Sequence, residues 1–358
     1  MATTNDPMRV GILGAGIVGL ACALKFVDAG YSVIVVARDL PGDASQDWAS
    51  PWAGALLAPY PGGDQQMQEI SLDFYNRHSS VEGTGISVSL PFSLELKTEK
   101  PQSYDKAQEL RITEYYDDRD TDETIWYKSL FSDFTWMSKS SLPPHAKIGF
   151  SYTGLTVDPT FLLPWIMERL RQGNVEFKRH TVKALGEVRY LTGAELIINA
   201  SGLGAGSLAR DSSVEAIRGQ TMFVSIPPER SGLYNQAFLF QGSEYTYAIP
   251  RRFSGGVILG GVSQHGSEDR GVQAGLRRDI QQRINAVPNQ SFTWLNVEVP
   301  NVAIKDIVGF RPGRKGGLRV EREDNTIHAY GAGGLGYVYA FGMAERVADL
   351  VTKLSSKL

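Results

Sequence analysis

Residues 9–37, RVGILGAGIVGLACALKFVDAGYSVIVVA, constrain the chain more than any other segment. The apolar run RVGIL (9–13) reads as a short strand, and apolar spacing at Ile17, Leu20, Leu24 and Val27 reads as a helix. Gly30 supplies a stop, and YSVIVVA (31–37) reads as a second buried strand. Between strand and helix stands Gly14-Ala15-Gly16-Ile17-Val18-Gly19, which fits G-x-G-x-x-G. In this setting the pattern predicts a βαβ unit that seats a dinucleotide pyrophosphate on a helix N-terminus. Gly14 allows the turn, Gly16 lets phosphate approach the backbone, and Gly19 lets helix and strand pack closely. The same run is a poor membrane span, because Gly11, Gly14, Gly16, Gly19 and Lys25 interrupt it. It is also a poor secretory signal, since MATTNDPM carries an aspartate and no basic residue before Arg9. An acidic residue normally ends the second strand to hold the ribose. Here Ala37 stands there, followed by Arg38 and Asp39. Asp39 is expected to reach the ribose and Arg38 the adenosine phosphate, a departure from the usual NAD pattern.

A length of 358 residues exceeds what one compact core usually carries, so two domains are expected, interleaved along the chain. The net charge of −3 gives no basic excess, which argues against nucleic acid or an anionic membrane as partner. Cys22 is the single cysteine. Disulfides within the chain and cysteine-built metal sites are thereby excluded, a reducing compartment fits, and no metal is expected. Lying inside the predicted helix, Cys22 reads as packing. No HExxH, nucleophile elbow or kinase set occurs, so hydrolysis and phosphoryl transfer lack their parts.

A second signal points to the same class of cofactor. PTFLLPWIMERLRQGNVEFKRHTV (159–182) reads as a helix followed by a strand, and ELIINASGLGAG (195–206) as another strand ending in a small-residue turn. Two-domain flavoproteins return to their FAD domain with such a strand, ending Ala-Thr-Gly; Ala200-Ser201-Gly202 is a close variant. Nicotinamide dehydrogenases need no such element, so the segment favours FAD.

Further stretches resemble the FAD-dependent D-amino-acid oxidase family, in the expected order along most of the chain. ARDLPGDASQDWASPWAGA (37–55) is similar to the segment that wraps the flavin, YAIP (247–250) to the strand bearing a substrate tyrosine, IVGFRP (307–312) to the strand bearing the substrate arginine, and IHAYGAGGLGY (327–337) to the C-terminal signature. The resemblance implies non-covalent FAD, with its phosphates on Gly14 to Gly19 and with Arg38, Asp39, Ser45 and Gln46 around ribose and pyrophosphate. Ala53, Gly54 and Ala55 would present backbone to the ring, and Val182 would meet the adenine. Gly333, Gly334, Gly336, Tyr337 and Val338 would close over the ring. Arg311, Tyr247 and Gly334 are implied as substrate contacts. The chemistry agrees, because a guanidinium grips a carboxylate at two points. A glycine-rich turn opening a helix offers free N–H groups and a positive dipole end to a reduced ring. Arg311 is expected at a strand end. Tyr245 and Tyr234 both remain open as a lid, and His328 reads as structural.

The implied reaction is oxidation of neutral D-amino acids by hydride transfer to FAD, giving 2-oxo acid, ammonia and, with O2 as acceptor, hydrogen peroxide. No residue is assigned as acid or base. A D-aspartate oxidase is the nearest rival; it needs a further cation, for which Arg218, Arg251 and Arg252 are candidates. A glycine or sarcosine oxidase, a nicotinamide dehydrogenase and a non-catalytic flavin binder are the others. The terminal Ser356-Lys357-Leu358 matches a peroxisomal address read by an import receptor. The fold expected is a Rossmann-like α/β FAD domain (1–60, 155–212 and 300–358) interleaved with a mostly antiparallel α+β substrate domain (61–154 and 213–299). A homodimer is compatible with the sequence.

Overall fold

A computed structural model describes residues 7–87, 110–243, 245–288, 292–298 and 303–355. Ser356-Lys357-Leu358 therefore lie outside the described residues, as do 88–109 of the expected substrate domain. Two sheets organise the chain. The first, in spatial order, runs β14 (Arg319–Glu323), β15 (Thr326–Tyr330), β7 (Leu196–Asn199), β1 (Arg9–Leu13), β2 (Ser32–Ala37) and β6 (Glu176–Arg179). From β15 to β6 every pairing is parallel, so both faces must be covered by helices. On one face α1 (Ile17–Asp28) packs against α3 (Pro159–Gln172) and α7 (Gly336–Ser355), while α2 (Gln65–His78) packs on α7. On the other lies α4 (Leu185–Thr192), where Val188 and Ala194 meet Leu13, Val36 and Ile197.

α1 is buried nearly all round, from Ile17 to Phe26, as a central crossover helix must be. Its first turn approaches β1 so closely that a Cβ on Gly19 would collide with the Gly14 carbonyl oxygen. Gly14 itself takes φ +106°, which L side chains rarely adopt, and its N–H donates to the Val36 carbonyl at 2.8 Å. Cys22 is buried within α1, and burial pushes its thiol up to about 12, so it is packing. Among the described residues, no helix is long and apolar enough to cross a membrane.

The second sheet runs β12 (Gln264–His265), β8 (Val214–Ser225), β11 (Gly256–Gly260), β10 (Thr246–Arg251), β9 (Gln236–Gln241), β3 (Arg111–Tyr116), β5 (Ile148–Thr153) and β4 (Thr135–Trp136), with β13 (Ile304–Arg314) also paired to β8. It is antiparallel apart from the β3–β9 pair. α6 (Ala274–Asn285) covers one face through Ile280 and Ile284. A four-residue helix, α5 (Ala205–Leu208), follows the turn after β7.

Sheet membership moves two of the expected boundaries. β13 falls within 300–358 yet pairs with β8 along its whole length, from Ile304↔Val224 to Arg314↔Val214, so it belongs to the second sheet. α2 falls within 61–154 yet buries Met67, Leu72 and Tyr75 in the core shared with α1 and α7. An element joins whichever core accepts its apolar face, whatever its neighbours in sequence.

Candidate active site

The two sheets meet across a cavity of about 970 Å3. At one end stand Arg38, Asp39, His180, Thr181 and Val182; Gly14 to Val18 line its middle; Tyr245, Tyr247, Thr221 and Arg311 line the far end. The βαβ turn puts the N-terminus of α1 at this middle section. Gly16 caps that helix without a side-chain bond, no acidic residue occupies its first turn, and Ser50 Oγ accepts from Ile17 N–H at 3.0 Å. The remaining first-turn N–H groups have no partner within the helix, and the dipole makes the spot positive. A Cβ on Gly16 would come within 3.0 Å of Ser50 Oγ and 3.6 Å of Trp48 Nε1. Trp48 Nε1 is itself buried without a hydrogen-bond partner in the protein. A narrow, positive cradle with an idle buried donor suits a pyrophosphate.

Of the residues expected near the ribose, Arg38 and Asp39 line the cavity and bond to each other at 2.7 Å, and Arg38 also donates to the Asp47 carbonyl at 3.1 Å. The structure does not bring Ser45 and Gln46 to the cavity wall. Ser45 accepts from Trp52 Nε1 through its carbonyl and from Asp47 N–H through its hydroxyl; Gln46 donates to the Arg270 carbonyl. The 45–47 loop turns back on itself at that point, so the wall is built by Asp47, Trp48 and Ser50 instead. Gly19 also lies off the wall, its space taken by the Gly14 carbonyl. Ala15, Ile17, Val18 and Val182 lie on it.

Ala53, Gly54 and Ala55 line the wall beside Tyr247, whose ring would touch a Cβ on Gly54 at 3.8 Å. Arg251, which also donates to Asp158, donates to the Ala53 carbonyl from behind. Gly333, Gly334, Gly336, Tyr337 and Val338 line the opposite wall, where a 3-10 turn (Gly333–Leu335) opens α7 and aims its N-terminus at the cavity. Tyr337 is buried and its hydroxyl donates to the Ser50 carbonyl at 2.9 Å, tying this wall to the phosphate cradle.

Arg311 stands inside β13 rather than at its end, because the pairing with β8 continues through Arg314. Its guanidinium lies across β8: a Cβ on Gly219 would stand 2.8–2.9 Å from Nη1, Cζ and Nη2. Nη1 donates to the Val262 carbonyl at 3.0 Å, and a Cβ on Gly334 would touch the Arg311 stem at 3.4 Å. Tyr245 and Tyr247 meet edge to face at 5.3 Å, with the Tyr245 ring 5.7 Å from the guanidinium. Burial pushes the Tyr247 hydroxyl up to about 12, against the pull of Arg311, so it is a neutral donor at physiological pH. Arg311, Tyr247 and Gly334 thus converge at one end of the cavity. Tyr234 does not line it.

The three candidate cations for an acidic side chain are engaged elsewhere. Arg218 is fully buried and donates to the Asp269 and Gly271 carbonyls and the Gln264 and Gln220 side chains. Arg251 pairs with Asp158, and Arg252 bonds to Asn235. None of the three lines the cavity. His328 is buried between Asn199 and Glu323, where it steadies the turn after β7. Among the described residues no cluster suited to a metal ion occurs.

A sequence-family model described as FAD dependent oxidoreductase matches residues 9–350. The chain belongs to that family. FAD is accordingly the cofactor of this oxidoreductase, and the cavity has room and chemistry for it: the cradle at Gly14–Val18 would take the pyrophosphate, and the walls at 53–55 and 333–338 would flank the ring. The chain is 29% identical over 357 residues to a D-amino-acid oxidase of Fusarium vanettenii, covering 96% of each. It is 28% identical over 378 residues to a D-aspartate oxidase of Talaromyces thermophilus, covering 96% of this chain and 95% of the relative. Among solved structures it resembles a glycine oxidase from Bacillus cereus, with a TM-score of 0.71, 16% identity, and coverage of 97% and 95% of the two chains. Trp48, Ser50, Gly219 and Thr221 escaped the sequence reading. Only the alternation of Ile217, Gly219 and Thr221 along β8 could have hinted at the last two.

Proposed function

We propose that this oxidoreductase oxidises D-amino acids with neutral side chains to 2-oxo acids and ammonia, with oxygen as final acceptor and hydrogen peroxide as co-product. One observation carries the reading: the half-buried Arg311 guanidinium faces the cofactor cavity beside Tyr247 and Gly334. A planar cation at that place gives a carboxylate a two-point grip. Similarity to the D-amino-acid oxidase of Fusarium vanettenii supports it.

Bound FAD supplies the two-electron acceptor. The chain supplies position and electrostatics. Arg311 holds the substrate carboxylate, and Tyr247, kept protonated by burial, donates a second hydrogen bond. The carboxylate thus anchored, rotation about the remaining bond is limited by the apolar walls of Leu56, Leu239, Ile249 and Ile307. The carboxylates in the lining, Asp39 and Asp47, both stand with Arg38 at the other end, so neither serves as a base. A buried site beside a guanidinium favours the neutral amine over the ammonium, which readies the nitrogen lone pair without one. With Arg218, Arg251 and Arg252 engaged elsewhere, and Arg283 held behind the wall by the Tyr245 and Gly261 carbonyls, Arg311 is the one cation lining this end among the described residues, which favours neutral side chains over aspartate.

Arg311→Leu tests the reading. The variant should keep FAD and its visible spectrum while KM for D-alanine rises at least tenfold; an unchanged KM refutes the assignment. A D-alanine to D-aspartate turnover ratio below one would transfer the reading to a D-aspartate oxidase. The terminal Ser356-Lys357-Leu358 supports a peroxisomal location, where the peroxide would be consumed. Deleting those three residues should leave activity intact and the protein in the cytosol, as fluorescence imaging would read; continued import would refute the address.

A further inference from the structure

We propose that the Thr221 hydroxyl is a third hydrogen-bond donor of the substrate-carboxylate site. The inference rests on the reading that Arg311 binds a carboxylate. β8 turns Ile217, Gly219 and Thr221 toward the cavity, alternate residues sharing one face. Three neighbouring positions hold no side chain, and the space is taken by the clamp. Arg311 lies over Gly219. Tyr247 lies over Gly260 and Gly261, where an added Cβ would stand 2.5–2.9 Å from its ring and hydroxyl. Thr221 pairs with Ile307 on β13, and the Met222↔Leu259 pair sets it beside Gly260 on the other side. It therefore stands between the guanidinium and the phenol.

Thr221 is 6% exposed, and its hydroxyl has no hydrogen-bond partner in the protein. Arg311 Nη1 is engaged by the Val262 carbonyl, and Gln220 by both the N–H and the carbonyl of Gln273. A buried hydroxyl without a partner is destabilising, and valine would fill the same volume without that cost. A carboxylate can accept about four hydrogen bonds, more than Tyr247 and the remaining Arg311 N–H groups need supply. A substrate carboxylate oxygen is the acceptor that Thr221 lacks.

The holoenzyme forms of Thr221→Val and Thr221→Ser decide the matter, with propionate as an unreactive carboxylate probe followed by flavin absorbance. Thr221→Val should raise the Tm of the ligand-free protein, because the unpaired hydroxyl is gone. It should also weaken propionate about tenfold, the loss expected for one hydrogen bond to a charged group, and raise KM for D-alanine in step. Thr221→Ser should restore propionate binding. Unchanged propionate affinity in Thr221→Val overturns the proposal. So does a lowered Tm, which would reveal a structural partner, and so does a shifted flavin spectrum with unaltered affinity, which would turn the hydroxyl toward the cofactor. Arg311→Leu titrated in parallel separates the two levels. If it too binds propionate normally, the carboxylate reading has failed; if it alone loses binding, only the role of Thr221 has.

Discussion

Replacing Gly219 by alanine should damage substrate binding while sparing the fold. The new methyl carbon would stand 2.8 Å from Arg311 Nη1 and 2.9 Å from Cζ and Nη2. Ordinary contact needs about 3.5–4 Å, so the guanidinium must retreat by roughly 0.5–1 Å. The atoms that give way are the far end of a flexible side chain, and alanine suits a strand better than glycine by about 0.5–1 kcal/mol, so Tm should hold or rise slightly. A clamp displaced that far loses about one charge-assisted hydrogen bond, roughly 1.5–3 kcal/mol, which is about 10- to 150-fold in affinity. Thermal melting of the holoenzyme and steady-state oxidation of D-alanine would read the two effects separately. A KM within twofold of the parent in a folded, FAD-loaded variant, or loss of FAD instead of substrate, would refute this displacement of the clamp.

Two further perturbations test other parts of the structure. Glu114 is fully buried under the hydroxyls of Tyr116 and Tyr152, each 2.6 Å away, and of Tyr127, and burial raises its carboxyl from 4.5 to about 7 despite them. A raised carboxyl is held protonated longer by the folded state, so its contribution is intact below about 4.5 and is lost as pH climbs toward 7, a penalty of about 3 kcal/mol. Glu114→Gln should flatten the fall in Tm between pH 5 and 8; parallel melting profiles for parent and variant would contradict this. Trp48→Phe keeps the packing of a residue 8% exposed but removes the idle indole donor beside Gly16, so FAD should dissociate about tenfold more readily from the reconstituted apoprotein. An unaltered dissociation constant would place that N–H away from the cofactor.

Much of the architecture was legible because its signals are local. Three glycines with an apolar strand on each side of a helix can satisfy turn, phosphate approach and close packing in few other ways, and β1, α1 and β2 form where that pattern places them. Arg311 and Tyr247 stand out for a different reason, the motifs IVGFRP and YAIP, and both line the cavity. Ser45 and Gln46 lie off the cavity wall because a loop's curl depends on bonds such as Trp52 to the Ser45 carbonyl, which sequence order does not announce.

From sequence alone came the cofactor class, which depends on residues close together in the chain, and the two-domain plan, which follows from its length. Three-dimensional packing decided the rest. It drew β13 into the second sheet, laid a guanidinium over a glycine 92 positions away in β8, and removed three arginines from contention by surrounding each with other partners. Such pairings follow from which apolar faces and unpaired polar groups find one another on folding, a property of the whole chain rather than of any segment.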